Sequence, residues 1–270
     1  MKRLGIVPHL YPQPLFGGLR EKGSAASNPS GSRGTGETRP FGLTEDHFAP
    51  LAVQLREGKL DGAFLSPIEY AHLYGTCKIV PNVGVLSEGE SGSVLLVFHE
   101  HLHTIKTIGV DPAFPSEIVL ADIIMKEKYD TAPQFVPLSG SVDEALRKAD
   151  AALVVDRSAI AVRDRPARLD LVDEWYDLSE LPFVHGFWVV REGTFAAEEM
   201  KALTTAALPA ESLPGLNPDE EEYLLNFRYT LEEEGIASLN EFFRMAYYHG
   251  VLKDIPDLRI GSTSEASKLP

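Results

Sequence analysis

The sequence has little cysteine: Cys77 is the only one among 270 residues, so no intrachain disulfide can form. Nothing in this composition points to an oxidising compartment. Cys77 lies in an apolar segment with Ile79 and Val80, and we expect a buried structural thiol rather than a nucleophile. No segment approaches the roughly 20 apolar residues that cross a bilayer. The apolar stretch at 4–7 is too short for a signal-peptide core, and we predict a cytoplasmic protein.

Positive charge is also scarce. The chain has 25 Lys and Arg residues and 40 Asp and Glu residues, which gives a net charge of −15 and a pI near 5.0. A field of that sign repels nucleic acid and anionic lipid, so we expect neither as a partner. An anionic ligand would have to be held by backbone N–H groups and hydroxyls. We expect a monomer or a homodimer.

Motifs for phosphate and metal binding are missing. Residues 17–40 are rich in Gly and Ser, but they contain neither of the two glycine-rich phosphate-binding spacings, G-x-G-x-x-G and G-x-x-x-x-G-K-[ST]. We therefore predict a flexible loop. His99, His101 and His103 alternate and would share one face of a strand. No Cys or carboxylate completes a metal-binding spacing around them, so we predict a solvated edge. The sequence predicts no metal and no cofactor.

Short apolar strands alternate with amphipathic helices along the chain. Residues 60–65 and 91–98 have the character of buried strands, whereas 44–57 and 116–127 show helical periodicity, the first with Thr44 as N-cap. Alternation of this kind is typical of mixed or mostly parallel sheets flanked by helices, and we predict an α/β fold.

The strand pattern predicts two lobes. A long buried strand near 92–98 and another near 187–190 indicate that the chain crosses twice between them. We therefore expect lobe 1 to comprise 1–92 plus 189–270, including the C-terminal helices and the 17–40 loop. Lobe 2 would comprise 93–188, with a ligand cleft between the lobes. The hydrophobic content of 44% is enough for a sizeable core.

Several motifs, in order, carry a family resemblance. They are 60–71 (LDGAFLSPIEYA), 89–94 (GESGSV), 150–153 (DAAL), 173–175 (DEW) and 181–184 (LPFV). Together they resemble the menaquinone biosynthesis proteins of the futalosine pathway, which include chorismate dehydratase. The resemblance implies a type II periplasmic-binding-protein-like fold and a small anionic ligand, chorismate or a similar carboxylate.

The resemblance implies a carbon–oxygen lyase that removes water from chorismate to give 3-enolpyruvylbenzoate. Such a protein mainly binds carboxylates, orients a ring and excludes water. A non-catalytic intracellular binder of small metabolites on the same scaffold is the alternative. The naphthoate synthase branch of the same pathway is a third, weaker interpretation.

Four serines are candidate substrate-binding residues. Ser66 follows a strand and precedes Pro67, so it is either a plain helix N-cap or a contact for a ligand carboxylate. Ser91 and Ser93 lie where the chain enters the second lobe and would offer hydroxyls to the cleft. Ser116 opens a helix and resembles the family's second carboxylate site.

Tyr11 and His185 complete the predicted site. Tyr11 stands where the family's early loop has an Asn, and we take it as the candidate catalytic residue. His185 follows the apolar run 181–184 and is interpreted either as a core histidine or as a substrate-binding residue. Glu117, next to Ser116, favours the helix dipole but repels an incoming carboxylate.

Overall fold

The computed structural model of the protein describes residues 1–24, 41–100, 102, 104–137 and 140–262. The strands are β1 (Lys2–Ile6), β2 (Phe41–Glu45), β3 (Gly62–Leu65), β4 (Cys77–Ser87), β5 (Val94–Phe98), β6 (Thr107–Val110), β7 (Gln134–Pro137), β8 (Ala151–Val155), β9 (Arg168–Asp170) and β10 (Phe183–Arg191). The helices are α1 (Gln13–Ser24), α2 (Phe48–Arg56), α3 (Pro67–Ala71), α4 (Pro115–Glu127), α5 (Val142–Leu146), α6 (Arg157–Ile160), α7 (Leu171–Ser179), α8 (Ala197–Thr204), α9 (Pro218–Leu224) and α10 (Glu233–Tyr248). Within these ranges no helix has the length and apolar character needed to cross a membrane.

The first sheet has the strand order β2-β1-β3-β10-β4. β1 pairs in parallel with β2 and β3, whereas β10 runs antiparallel to β3 and β4. Every residue of β10 except Arg191 is buried. A strand with neighbours on both edges and covered faces is expected to be apolar throughout, which explains the run of large hydrophobic residues there.

The second sheet has the strand order β7-β6-β8-β5-β9. β6 pairs in parallel with β7 and β8, and β5 pairs antiparallel with β8 and β9. The central strand β8 is buried along its whole length. Asp170 is the N-cap of helix α7, and its carboxylate accepts the backbone N–H groups of Val172 and Asp173.

The chain crosses twice between the sheets, as predicted. It leaves the first sheet after β4 and returns to it with β10. The predicted two-lobed α/β fold with mixed sheets is thereby confirmed. Because all of β10 from Phe183 onward pairs within the first sheet, we propose that the second crossing lies before residue 183. The remainder of the division into 1–92 plus 189–270 and 93–188 stays a prediction.

The predicted loop at 17–40 needs a correction, because residues 17–24 belong to α1. Gly17 and Gly18 allow close packing here: a Cβ on Gly18 would lie 2.6 Å from the carbonyl oxygen of Ala206. The Gly18 N–H donates to that same oxygen at 2.9 Å. These glycines therefore serve helix packing rather than chain flexibility. Residues 25–40 lie outside the described residues.

The predicted helix at 44–57 begins later than expected. Thr44 pairs with Gly5 in the parallel ladder between β1 and β2, and α2 starts at Phe48 with His47 at the N-cap. Thr44 as N-cap was therefore wrong, because ladder hydrogen bonds to β1 compete successfully with an early helical turn.

Cys77 is buried at the start of β4. Burial raises the pKa of its thiol above the ordinary value. A buried protonated thiol is a poor nucleophile, which confirms the expectation of a structural cysteine.

Candidate functional site

The candidate site is a set of buried side chains between the two sheets. Tyr11 lies in the loop that joins β1 to α1, Ser66 at the start of α3, Glu117 in the first turn of α4, and His185 near the start of β10. All four are fully buried. Parallel strands and the loops that follow them meet at one edge of a sheet, so residues far apart in sequence come together there.

Aromatic rings form the walls of this site. The ring of Tyr11 lies 5.3 Å from that of His185 and 5.9 Å from that of Phe227, centroid to centroid. Phe227 lies 5.3 Å from His185, and Phe183 packs edge-on against His185 at 5.0 Å. These rings pack against one another at contact distance and form an apolar wall with defined geometry on one side of the site.

Five of the nine buried side-chain polar atoms that lack partners among the described residues belong to this region. Tyr11 Oη, Ser66 Oγ and Glu117 Oε2 are buried and have no hydrogen-bond partner among the described residues, and the same holds for His9 Nε2 and Tyr223 Oη. Each such group costs about 1–3 kcal/mol when it stays unpaired. Buried polar groups are paired in the great majority of cases, so a cluster of exceptions suggests a ligand site.

Ser66 occupies the N-cap position of α3, with Pro67 as the next residue, as the sequence predicts. Its hydroxyl makes no cap hydrogen bond, however. Ser141 at the start of α5 provides the contrast, because its Oγ accepts from the N–H of Glu144 in a complete capping box. Ser66 therefore holds a cap position without the usual cap bond, and its hydroxyl is available to something else.

Ser116 is also buried, but its hydroxyl is engaged. Its Oγ accepts the backbone N–H of Ile68 at 3.0 Å. This bond joins α4 to α3 and so brings Glu117, the residue after Ser116, to the neighbourhood of Ser66. Ser116 acts here as a positioning residue, and a direct ligand contact stays a prediction.

Ser91, Ser93 and His185 belong to one hydrogen-bonded row. His185 Nε2 lies 2.7 Å from Ser87 Oγ, Ser87 Oγ lies 3.1 Å from Ser93 Oγ, and Ser93 Oγ lies 2.7 Å from Ser91 Oγ. On its other side, His185 Nδ1 lies 3.4 Å from Glu117 Oε1. The structure thus connects three of the predicted residues through Ser87, which the sequence analysis did not single out.

Asp156 connects the lobes beside the site. It follows β8 in the second sheet, and its carboxylate accepts the backbone N–H groups of Leu10 at 2.8 Å and Tyr11 at 3.3 Å in the loop after β1. Burial raises the pKa of this carboxyl to about 6, against the opposite effect of these hydrogen bonds and of Arg157. Asp156 has φ of 61° and ψ of −138°, a backbone conformation outside the left-handed helical region.

His9 extends the aromatic cluster. Its ring stacks with that of Tyr11 at 5.7 Å and lies 4.5 Å from Phe114. Burial, with the nearby His47 and Arg157, lowers the pKa of His9 to about 3. The imidazole is therefore neutral at physiological pH, and its unpaired Nε2 offers one polar contact to the cluster.

Sequence reasoning missed Ser87, Asp156, His9 and Phe227 as members of the site. Their contacts join segments that are far apart in the sequence, as in the bond that the Leu10 N–H donates to Asp156. Local patterns do not reveal such pairings. One pattern could have suggested His9 and Asp156, because each follows the end of a buried strand, where sites in α/β folds collect.

Of the three alternating histidines, only His99 lies among the described residues. His99 Nε2 lies 3.0 Å from the carbonyl oxygen of Leu146, and His101 and His103 lie outside the described residues. Among the described residues no group of three or more His, Cys, Asp or Glu side chains is placed to hold a metal ion.

A cavity of about 490 Å³ lies next to the loop that carries Tyr11, and residues such as Gln13, Arg20 and Arg157 line it. Both arginines are paired: Arg20 contacts Glu45 at 2.7 Å, and Arg157 contacts Glu220 at 2.7 Å. Exposed ion pairs of this kind compete with an incoming anion for the guanidinium groups.

Comparisons with known proteins place this geometry in context. A family model described as menaquinone biosynthesis matches residues 2–220. No curated protein matches the chain. Protein AF1704 from Archaeoglobus fulgidus is 16% identical, with a TM-score of 0.66 over 93% of this chain and 98% of that one. The periplasmic aliphatic sulphonate binding protein SsuA from Escherichia coli is 15% identical, with a TM-score of 0.58 over 95% of each chain.

A third solved structure points to the same fold. The CA3427 gene product of Candida albicans, described as having the generic periplasmic binding protein structural fold, is 11% identical. It gives a TM-score of 0.57 over 97% of this chain and 98% of that one. These likenesses confirm the predicted periplasmic-binding-protein-like fold.

Proposed function

The chain belongs to the menaquinone biosynthesis family, as its sequence motifs predict, and on that premise we propose that it acts as a lyase of the chorismate dehydratase type. The ligand would be a small cyclic carboxylic acid that binds between the two sheets and loses one water molecule by elimination. The observation that carries this proposal is the cluster of unpaired buried polar atoms on Tyr11, Ser66 and Glu117.

The chemistry of the three groups matches such a ligand. Tyr11 and Ser66 each have a hydroxyl that can donate to a carboxylate or ether oxygen, and Glu117 has a free oxygen that accepts from a hydroxyl. A ring that carries both carboxylate and hydroxyl would pair all three. The packed rings of Tyr11, His185 and Phe227 would contact one side of it. Because the site is closed to water, each of these contacts is stronger than in solution.

The elimination requires two proton transfers. One ring C–O bond breaks and the hydroxyl leaves as water after gaining a proton. One ring C–H bond breaks, and its electron pair becomes the double bond that completes the aromatic ring. Burial, with the charges of Glu117 and Asp156, raises the pKa of Tyr11 well above its ordinary value. Tyr11 is therefore protonated before the reaction and gives its proton to the leaving oxygen as the C–O bond breaks, whereas Glu117 Oε2 accepts the ring proton. Tyr11 then regains a proton and Glu117 loses one, so that the net products are the aromatic ring and one water.

A non-catalytic metabolite binder is the second candidate function. Two findings favour it: the hydroxyl of Ser116 is already bonded to Ile68, and Tyr11 stands where the family has an Asn. Such a protein would bind the same class of ligand in the same cluster and leave it unchanged. We further propose a cytoplasmic location, because a chain with one buried thiol fits a reducing compartment.

The test is incubation of the purified protein with chorismate, with mass spectrometry for a product lighter by one water. Ser66→Ala should abolish or strongly reduce product formation. Ser141→Ala is the matched control, since it also removes an N-cap hydroxyl but lies at the exposed start of α5. Equal loss in both variants would count against a role for Ser66. Binding of chorismate without product would favour the metabolite binder.

A further inference from the structure

The row of hydroxyls behind His185 has no place in the proposed ligand contacts. Three serine hydroxyls, those of Ser87, Ser93 and Ser91, follow one another from His185 Nε2 at 2.7, 3.1 and 2.7 Å. Ser87 and Ser93 are at most 1% exposed, and Ser91 is 4% exposed. In each serine–serine pair either oxygen can be the donor, because a hydroxyl both donates and accepts.

The two ends of this row lie in different surroundings. At its inner end, His185 contacts Glu117, whose second oxygen belongs to the unpaired cluster. At its outer end, Ser91 lines an open cavity of about 290 Å³, together with Asp170 and Asn226. The backbone around Ser91 is fixed there, because Asn226 donates to the Ser91 carbonyl at 3.0 Å and the Gly92 N–H donates to Asp170 at 2.6 Å.

We propose that Ser87, Ser93 and Ser91 form a proton-conducting row that connects His185 and Glu117 with the solvent-facing cavity at Asp170. A proton that arrives at the imidazole passes to the next oxygen as each hydroxyl donates its own proton onward and rotates back. No covalent change remains after one passage, since each serine ends with the single proton it started with. The proton leaves at Ser91 to water in the cavity.

The need for such a row follows from the burial of the site, and in this respect the inference rests on the proposed function. A group that takes a ring proton in each turnover must lose it before the next. Tyr11, Glu117 and His185 are all fully buried, so water does not reach them in the closed protein. Burial also raises the pKa of Asp170 to about 6, so that a carboxyl able to exchange protons near neutral pH lies at the outer end.

The substitution that breaks the row is Ser93→Ala, in its middle. Ser93→Thr keeps a hydroxyl at the same place and should restore conduction. Ser238→Ala is the matched control: Ser238 is likewise buried, and its hydroxyl donates to the carbonyl of Pro182, away from the row. Ser87→Ala serves as a second break should Ser93→Ala fail to fold.

The primary readout is exchange of the His185 ring N–H protons with water, followed by NMR on protein labelled with ¹⁵N-histidine, which needs no substrate. We expect exchange about tenfold or more slower in Ser93→Ala than in the wild type, because only transient opening of the structure would then reach the ring. Ser93→Thr and Ser238→Ala should exchange like the wild type. Wild-type exchange in Ser93→Ala, or equal slowing in Ser238→Ala, would overturn the proposal.

Turnover of chorismate separates this inference from the proposed function. If the wild type turns over, Ser93→Ala should lower kcat more than KM, and Ser93→Thr should restore it. If no variant turns over while ring exchange still depends on the Ser93 hydroxyl, the row stands and the dehydratase function fails.

Discussion

Asp156 provides a quantitative test of the contact between the lobes. Its pKa is 3.8 in an unperturbed chain and about 6 in the folded protein, with burial as the main cause. A raised folded pKa means that the native state holds its proton more tightly than the unfolded state does. This contribution to stability is present in full below the unfolded pKa, and it is lost as the pH rises through about 6. At about 1.4 kcal/mol per pH unit, the difference corresponds to about 3 kcal/mol.

Asp156→Asn removes the titration and keeps the shape. Asn has nearly the same size and retains an oxygen for the Leu10 and Tyr11 N–H groups. Urea unfolding of both proteins from about pH 4 to about pH 8, followed by tryptophan fluorescence, gives the difference in free energy of unfolding. Subtraction cancels other carboxyls such as Asp170. Wild-type stability relative to the variant should fall by about 3 kcal/mol over this range.

The sign of the pH dependence of this stability difference tests the account of Asp156. A difference that stays constant with pH would mean that the Asp156 carboxyl titrates alike in both states. A difference that grows in favour of the wild type as the pH rises would mean that the two backbone N–H groups outweigh burial and stabilise the carboxylate. Either result would refute the account of this contact.

Three further predictions concern single positions. Tyr11→Phe should raise the free energy of unfolding by about 1–3 kcal/mol, since it removes a buried hydroxyl without a partner. The same variant should bind chorismate more weakly in calorimetry. A lower free energy of unfolding would mean that the hydroxyl has a hydrogen-bond partner after all. Gly18→Ala should lower the free energy of unfolding by about 1–3 kcal/mol, because the new Cβ contacts the Ala206 carbonyl. Helix propensity alone would raise the free energy of unfolding, so the sign of the change in urea unfolding distinguishes the two effects. Ser141→Ala should cost about 1 kcal/mol through its lost cap, whereas Ser66→Ala should cost less; equal costs in thermal unfolding would contradict the geometry of Ser66.

The sequence was sufficient for the architecture because strands and helix starts leave local patterns. The buried run of β10 and the helix start at Ser66 and Pro67 were both predicted close to their observed positions. The return of the chain to the first sheet followed from the apolar character of that run. Where local chemistry and tertiary pairing agree, a pattern of a few residues is enough.

The sequence predictions were wrong or incomplete where tertiary contacts determine the local structure. Gly17 and Gly18 suggested a flexible loop, yet their lack of a side chain allows α1 to pack against the segment at 206–208. Thr44 suggested a cap, yet its backbone pairs with β1. Nothing near Ser87 in the sequence shows that it lies against His185, 98 residues away. Long-range contacts of this kind have no local pattern to reveal them.

The central claim is that the unpaired polar cluster between the sheets is the ligand site. A crystal structure of the protein with 3-enolpyruvylbenzoate, the product expected of chorismate dehydration, tests this most directly. We predict the ligand ring packed against the Tyr11 and Phe227 rings, with its polar groups on Ser66 and Glu117. Electron density for the ligand only in the cavity lined by Arg20 and Arg157 would contradict the account.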